Sequence, residues 1–175
     1  RHGIEYINPL KNLLLDLNKY QDGNSSVTKA TVMQDVDAVD KIDKKYNKEM
    51  KVEDTWSKLK SDLSNLNKGN SADLISRTSA SIDNVTNQSN LILDPDLDTY
   101  YLMDSYCLRF HNISAKIFAL KSEGLKKISN KKYPTLDLIK TSVLMDEQNE
   151  ILKANLAVIY GFNPATKSVL DNQES

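Results

Sequence analysis

Glycine and proline are scarce in this chain of 175 residues, with 5 of the first and 4 of the second. Few tight turns can therefore be built, which argues against folds made of many short strands. One cysteine, Cys107, is present, so an intrachain disulfide, a Cys-x-x-Cys redox pair and a cysteine zinc site are all excluded. Aromatic residues make up 7% of the chain. That is lean for a compact α/β enzyme and ordinary for thin helical bundles with much surface per residue. Neither sign of charge dominates: 23 Lys+Arg nearly cancel 24 Asp+Glu. A nucleic-acid binder would carry a basic stripe or a high isoelectric point, and this chain has neither. No run of 18 or more apolar residues occurs, so no stretch of it reads as membrane-spanning.

What the sequence does have is apolar spacing of helical period. Ile4 to Tyr20 reads as a first helix, starting or kinking at Pro9, with Gly23-Asn24-Ser25-Ser26 ending it and capping the next. Val32, Val36, Val39, Ile42, Tyr46 and Met50 form a second stripe, whose DKIDKK side reads as solvated. Its phase is lost near Lys51-Val52-Glu53-Asp54, where a break is expected. Trp56, Leu59, Leu63 and Leu66 follow as a bundle seam. Lys68-Gly69-Asn70-Ser71 reads as a turn with Gly69 just past the helix end and Ser71 as the next N-cap. A more polar stripe comes next, at Ile75, Thr78, Ile82, Val85 and Ser89.

Asp94-Pro95 has the form of an N-cap followed by proline at the first helical position, and Asp96 and Asp98 add negative charge to the first turn. From there Tyr106, Phe110, Ile113, Ile117, Leu120 and Leu125 continue one stripe to about Ile128. Such a helix would be roughly 50 Å long. Lys131 to Pro134 turns the chain into a fifth helix with Leu136, Ile139, Val143, Ile151, Leu152, Leu156 and Ile159, ended by Gly161. Asn163-Pro164 then starts a sixth, which is cut short at Ser175. No strand pattern competes. The expectation is an all-α fold, an elongated up-down bundle of the four-helix type or two such modules stacked, making one helical domain over residues 1–175.

Catalytic and metal motifs are missing. Asp94-Pro95-Asp96-Leu97-Asp98 opens like a calcium loop, but Thr99 and Ser105 stand where Gly and Glu are needed. His2 and His111 lie far apart in sequence, and Asn112 and Ser114 beside His111 are poor metal ligands, so metal binding is not expected. There is no G-x-S-x-G, no phosphate-binding glycine loop and no Glu-x-x-His. The chain therefore reads as non-enzymatic, with no cofactor and no metal. The odd local cluster is Tyr100-Tyr101-Leu102-Met103-Asp104. Helical turns set Tyr101, Asp104 and His111 roughly on one face, with Arg109 near Asp98 and Asp104. Its bland reading is core aromatics plus a salt bridge. Its functional reading is a polar pocket between helices with an aromatic wall.

Two runs carry a resemblance. Arg1 to Leu10 (RHGIEYINPL) followed by Leu13-Leu14-Leu15, and Ser89 to Asp104 (SNLILDPDLDTYYLMD) with Arg109 after it, resemble the all-helical extracytoplasmic sensor domains of bacterial transmembrane receptors. These belong to methyl-accepting chemotaxis proteins, sensor histidine kinases and diguanylate cyclases. The resemblance implies a periplasmic domain set between two membrane helices of an inner-membrane protein, working as a homodimer in the full-length receptor. It also implies a small organic acid or amino acid held between helices, with Asn90, Tyr100, Tyr101, Asp104, Arg109 and Arg77 as the candidate ligand-binding residues. This sequence departs at the end of its first helix, where Tyr20-Gln21 stand in place of a His-Arg pair common in such sequences. Anion binding would then fall to Arg77, Arg109 or a lysine. The alternative is a partner-binding or purely structural bundle with no small-molecule site. Buried, converging polar groups around Tyr101, Asp104 and Arg109 would favour the pocket over that alternative.

Overall fold

The structure is a computed structural model that describes residues 2–89, 96–130 and 136–171. Among the described residues it is all-α, with no strand. The chain divides into two compact units, Arg1–Leu91 and Ile92–Ser175.

The first unit is a four-helix bundle of α1 (His2–Asp22), α2 (Lys29–Met50), α3 (Glu53–Ser64) and α4 (Ser71–Gln88). α1 packs on both α2 and α4, α2 on α3, and α3 on α4, so the four close into a ring. Side-chain pairs fix the up-down order. Tyr6 meets Asp43 and Glu5 meets Tyr46 across α1 and α2, while Lys29 meets Ser64 and Asp40 meets Lys60 across α2 and α3. Ile7, Leu10, Leu13 and Leu17 of α1 line the core with Val32 and Val39, Leu59 and Leu63, and Leu74 and Ile82. Each such side chain contributes about 1.5–3 kcal/mol on leaving water.

The breaks fall where the turn chemistry allows them. Gly23, at φ +76°, follows α1. Its N–H bonds the Tyr20 carbonyl and the Asn24 N–H bonds that of Lys19, the pairing of a Schellman end. Lys51, at φ +52°, ends α2 where the stripe lost phase. Several boundaries differ from the sequence reading. α1 begins ahead of Pro9 and passes through it, and the proline ring brings no N–H of its own to the helix. The cap of α2 is Thr28, in reciprocal bonds with Thr31, rather than the serines before it. α3 ends at Ser64, Gly69 holds no positive φ, and Asn70 rather than Ser71 stands at the N-cap of α4. The Asn67 side chain closes that turn, accepting from the Gly69 and Asn70 N–H groups. The α2 face read as solvated is also wrong at one point. Asp43 is buried and Ile42 only half-buried, because the Tyr6 hydroxyl donates to Asp43 Oδ1 at 2.6 Å.

The second unit is a helical hairpin. α5 (Leu97–Asp104), a π turn (Ser105–Arg109) and α6 (Phe110–Ser129) form one continuous helical run. α7 (Leu136–Phe162) packs along all three, and α8 (Pro164–Asp171) packs on α7. Helix α5 starts two residues later than the Asp94-Pro95 reading, with Asp96 at the N-cap. Asp94-Pro95, Asn90 and the Lys131–Pro134 turn lie outside the described residues. Gly161 lies inside α7, and Asn163-Pro164 opens α8 as expected. The largest departure is the phase of the long run. Phe110, Ile117 and Leu125, expected inside, are about half exposed. The buried positions are Asp104, Ser105, Cys107 and His111. Counting apolar residues finds the apolar stripe; here the inward stripe is polar near the π turn and is stabilised by hydrogen bonds instead.

Candidate functional site

The π turn is where the second unit gathers its polar groups. The Phe110 N–H bonds the carbonyl of Ser105, five residues back, instead of the usual four. The wider turn brings residues five apart onto one side, and Asp104 and Arg109 use it. The Arg109 guanidinium meets the Asp104 carboxylate through two bonds, Nε to Oδ2 at 2.9 Å and Nη2 to Oδ1 at 3.1 Å. This fork-on-carboxylate geometry is the strong form of the ion pair. Its third nitrogen, Nη1, donates to Gln148 Oε1 of α7 at 3.1 Å. From the same helix Asn155 Nδ2 donates to Asp104 Oδ2 at 2.7 Å and to Ser105 Oγ at 3.2 Å. Asp104, Ser105 and Asn155 are buried, and the Arg109 side chain is 26% exposed. The guanidinium thus forms the solvent-reachable lip of a buried carboxylate. Bonds of residue 104 to 155 and of 109 to 148 also run in opposite senses, which sets α7 antiparallel to the long run.

The sequence-predicted residues separate into groups. Asp104 and Arg109 come together as expected, and His111 is buried near them in sequence. Tyr100 and Tyr101 are half-buried and pack edge to face, with ring centroids 5.1 Å apart. Arg77 belongs to the first unit, where its Nη1 pairs with Asp62 at 2.6 Å and Asp73 at 3.4 Å. There it lines a groove of about 280 Å³ between α3 and α4, with Lys58, Thr55, Asp54 and Ser81. Gln148 and Asn155 were not singled out from sequence. Their signal is present: Leu152, Asn155 and Ile159 follow at steps of three and four, so an amide stands at a core position.

Two carboxylates of the first unit have displaced pKa values. Asp40 is pulled down to about 2, first by its bonds to Lys60 (2.6 Å) and Lys44 (2.9 Å), with Trp56 Nε1 adding a third at 3.4 Å. Asp35 is pushed up to about 6, first by burial and then by the Asp16 carboxyl it shares a hydrogen bond with; Lys19 opposes this weakly. The Tyr6 hydroxyl is raised by burial and by Asp43, so it stays protonated and donating. Among the described residues no three His, Cys, Asp or Glu side chains gather as a metal site, and no helix is long and apolar enough to cross a membrane. Comparison of the chain with protein-family models, with curated proteins and with solved structures finds no match.

Proposed function

We propose that this chain is the extracytoplasmic ligand-sensing domain of a bacterial transmembrane receptor, of the chemotaxis-receptor or sensor-kinase type, and that it is not itself an enzyme. The resemblance of the Ser89–Asp104 run supports this reading. The observation that carries it is the buried Asp104–Arg109 pair on a π turn, answered from α7 by Asn155 and Gln148. A small carboxylate reaching the Arg109 lip would compete with Asp104 for the guanidinium. Losing that partner lets the π turn rewind to α, which moves α6 relative to α7 by a fraction of a turn. Such a shift is driven only by the ligand's differential affinity for the two packings. In the full-length receptor the flanking membrane helices would pass it to a cytoplasmic output.

The test is a thermal-shift screen of the chain against organic acids, amino acids and inorganic anions, with hits confirmed by calorimetry. A ligand at about 100 times its Kd adds roughly 2.7 kcal/mol, a rise of several degrees. Arg109→Lys, which keeps a cation beside Asp104 but loses the two-pronged guanidinium, and Tyr101→Ala should abolish that rise while keeping the helical signal. If both variants keep the wild-type affinity, the site is elsewhere. A partner-binding bundle is the second reading, and the apolar side chains exposed on α6 and α7 favour it.

A further inference from the structure

The chain carries four Asn-x-Ser/Thr triplets, beginning at Asn24, Asn84, Asn87 and Asn112. This is the acceptor pattern for attaching a sugar to an asparagine amide. The amide nitrogen is a poor nucleophile, because its lone pair is delocalised into the carbonyl. The pattern sets a hydroxyl two residues on, where it can act on the same side chain if the backbone permits. In an α-helix residues two apart sit about 200° around the axis and do not face each other. Three of the four triplets are helical. Asn84 lies within α4 and is half-buried, and the Thr86 hydroxyl donates to the Ile82 carbonyl at 2.8 Å. Asn87 is in the last turn of α4, and the Ser89 hydroxyl donates to the Thr86 carbonyl at 3.2 Å. Asn112 is half-buried in α6, and its own Nδ2 donates to the Leu108 carbonyl at 2.8 Å. Asn24 differs. It stands in the turn between α1 and α2, where Asn24, Ser25 and Ser26 are all exposed and the buried Val27 anchors the segment. Its Oδ1 accepts the Ser26 N–H at 2.9 Å and the Ser26 hydroxyl at 2.8 Å. Two donors on the oxygen draw charge onto it and make an Nδ2 proton easier to remove. Among the described residues no hydrogen bond engages Nδ2 itself.

We propose that Asn24 is a site of N-linked glycosylation, set apart from the other three triplets by an exposed non-helical backbone and by the bond from the Ser26 hydroxyl to its own side-chain oxygen. The donor class is an oligosaccharide carried on a polyprenyl pyrophosphate, the form available on the extracytoplasmic side of a membrane; in this the proposal rests on the sensor reading above. A carboxylate of the transferase takes one Nδ2 proton, and the nitrogen forms a bond to C1 of the first sugar. The C1–O bond breaks, and its electron pair leaves on the lipid pyrophosphate. Nothing is oxidised or reduced. A transferase meeting the folded chain finds the turn already presented, whereas the three helical triplets would first have to unwind.

The experiment incubates the purified, folded chain with a lipid-linked oligosaccharide and a single-subunit oligosaccharyltransferase that accepts any Asn-x-Ser/Thr peptide. Mass spectrometry reads the intact chain and its digest. A synthetic peptide of residues 20–28 shows that the enzyme is active. Wild type should gain one oligosaccharide, on Asn24. Asn24→Gln and Ser26→Ala should lose it, and Ser26→Thr should keep it. Both positions are exposed, so helix content by circular dichroism should hold in all three variants. A chain left unmodified while the peptide is modified overturns the proposal. So does modification at Asn84, Asn87 or Asn112 in place of Asn24, or an Asn24 modified equally in Ser26→Ala. Failure here leaves the sensor reading standing, because the ligand screen reads Arg109. A cytoplasmic location of the full-length protein would instead remove the sensor reading and the donor, while the purified chain still accepted the sugar at Asn24.

Discussion

A buried carboxylate is stable only while its hydrogen-bond partners remain, and Asp104 has three donors from two residues. Arg109→Ala would leave that charge in the hairpin seam with the Asn155 amide alone. The expected cost is about 3–5 kcal/mol, the penalty for orphaning half of a buried pair, reduced to the extent that water reaches the 26% exposed Arg109 position. Asn155→Ala removes one neutral donor and should cost about 1–3 kcal/mol. Removing both charges together, as Asp104→Leu with Arg109→Met, should cost much less than Arg109→Ala alone. Urea denaturation of wild type and these three variants measures the difference. If the double variant is the least stable of the set, the pair is worth more than its desolvation and the polar seam is there for stability alone. This seam also marks the limit of what residue types reveal. Asp104 and Arg109 could be paired by counting turns. Gln148 and Asn155 could not, because their partners lie 39 and 51 residues back and only the fold brings them near. Asp43 escaped for the same reason: its partner Tyr6 is on another helix.

Helix α2 is held to its neighbours by two carboxyl groups that respond to pH in opposite directions. Asp35 keeps its proton up to about pH 6 when folded, whereas in the unfolded chain it releases it near 4. Between those values the native state binds more protons, so stability from this group is full below about pH 4 and is lost as pH rises through about 6. The half-exposed setting of Asp35 screens the effect, so the slope rather than its size is the prediction. Asp40 has the opposite sign. Its carboxylate titrates at about 2 when folded, so the stability it adds through Lys60 and Lys44 is present above about pH 4 and is lost as pH falls toward 2. Thermal melts across about pH 2–8 should show Asp35→Asn removing the decline between 4 and 6, and Asp40→Asn removing the acid-side decline. An unchanged profile in Asp35→Asn would mean that Asp16 and Asp35 do not share a proton. At this scale the sequence was most legible. Stripe spacing located every helix of the first unit, and the stripe's loss of phase marked Lys51. The exact ends were missed because Thr28, Asn67 and Asn70 act through side-chain bonds in geometries that residue type alone does not select.

The two units differ in what holds them together, and that difference should appear when the whole chain is heated. The first closes four helices around leucine, isoleucine and valine side chains that are almost fully buried. The second joins one long run to α7, buries Asp104, His111 and Asn155 among its few apolar core residues, and leaves much of its apolar surface outside. Apolar area removed from water is the main driving force for folding, so the hairpin should be the weaker unit as a lone chain. Calorimetry is then expected to show two transitions, the lower belonging to the second unit. Leu13→Ala, a fully buried change in α1, should lower only the upper transition, at a cost of about 2–5 kcal/mol. A single transition that Leu13→Ala shifts as a whole would show instead that the two units unfold as one.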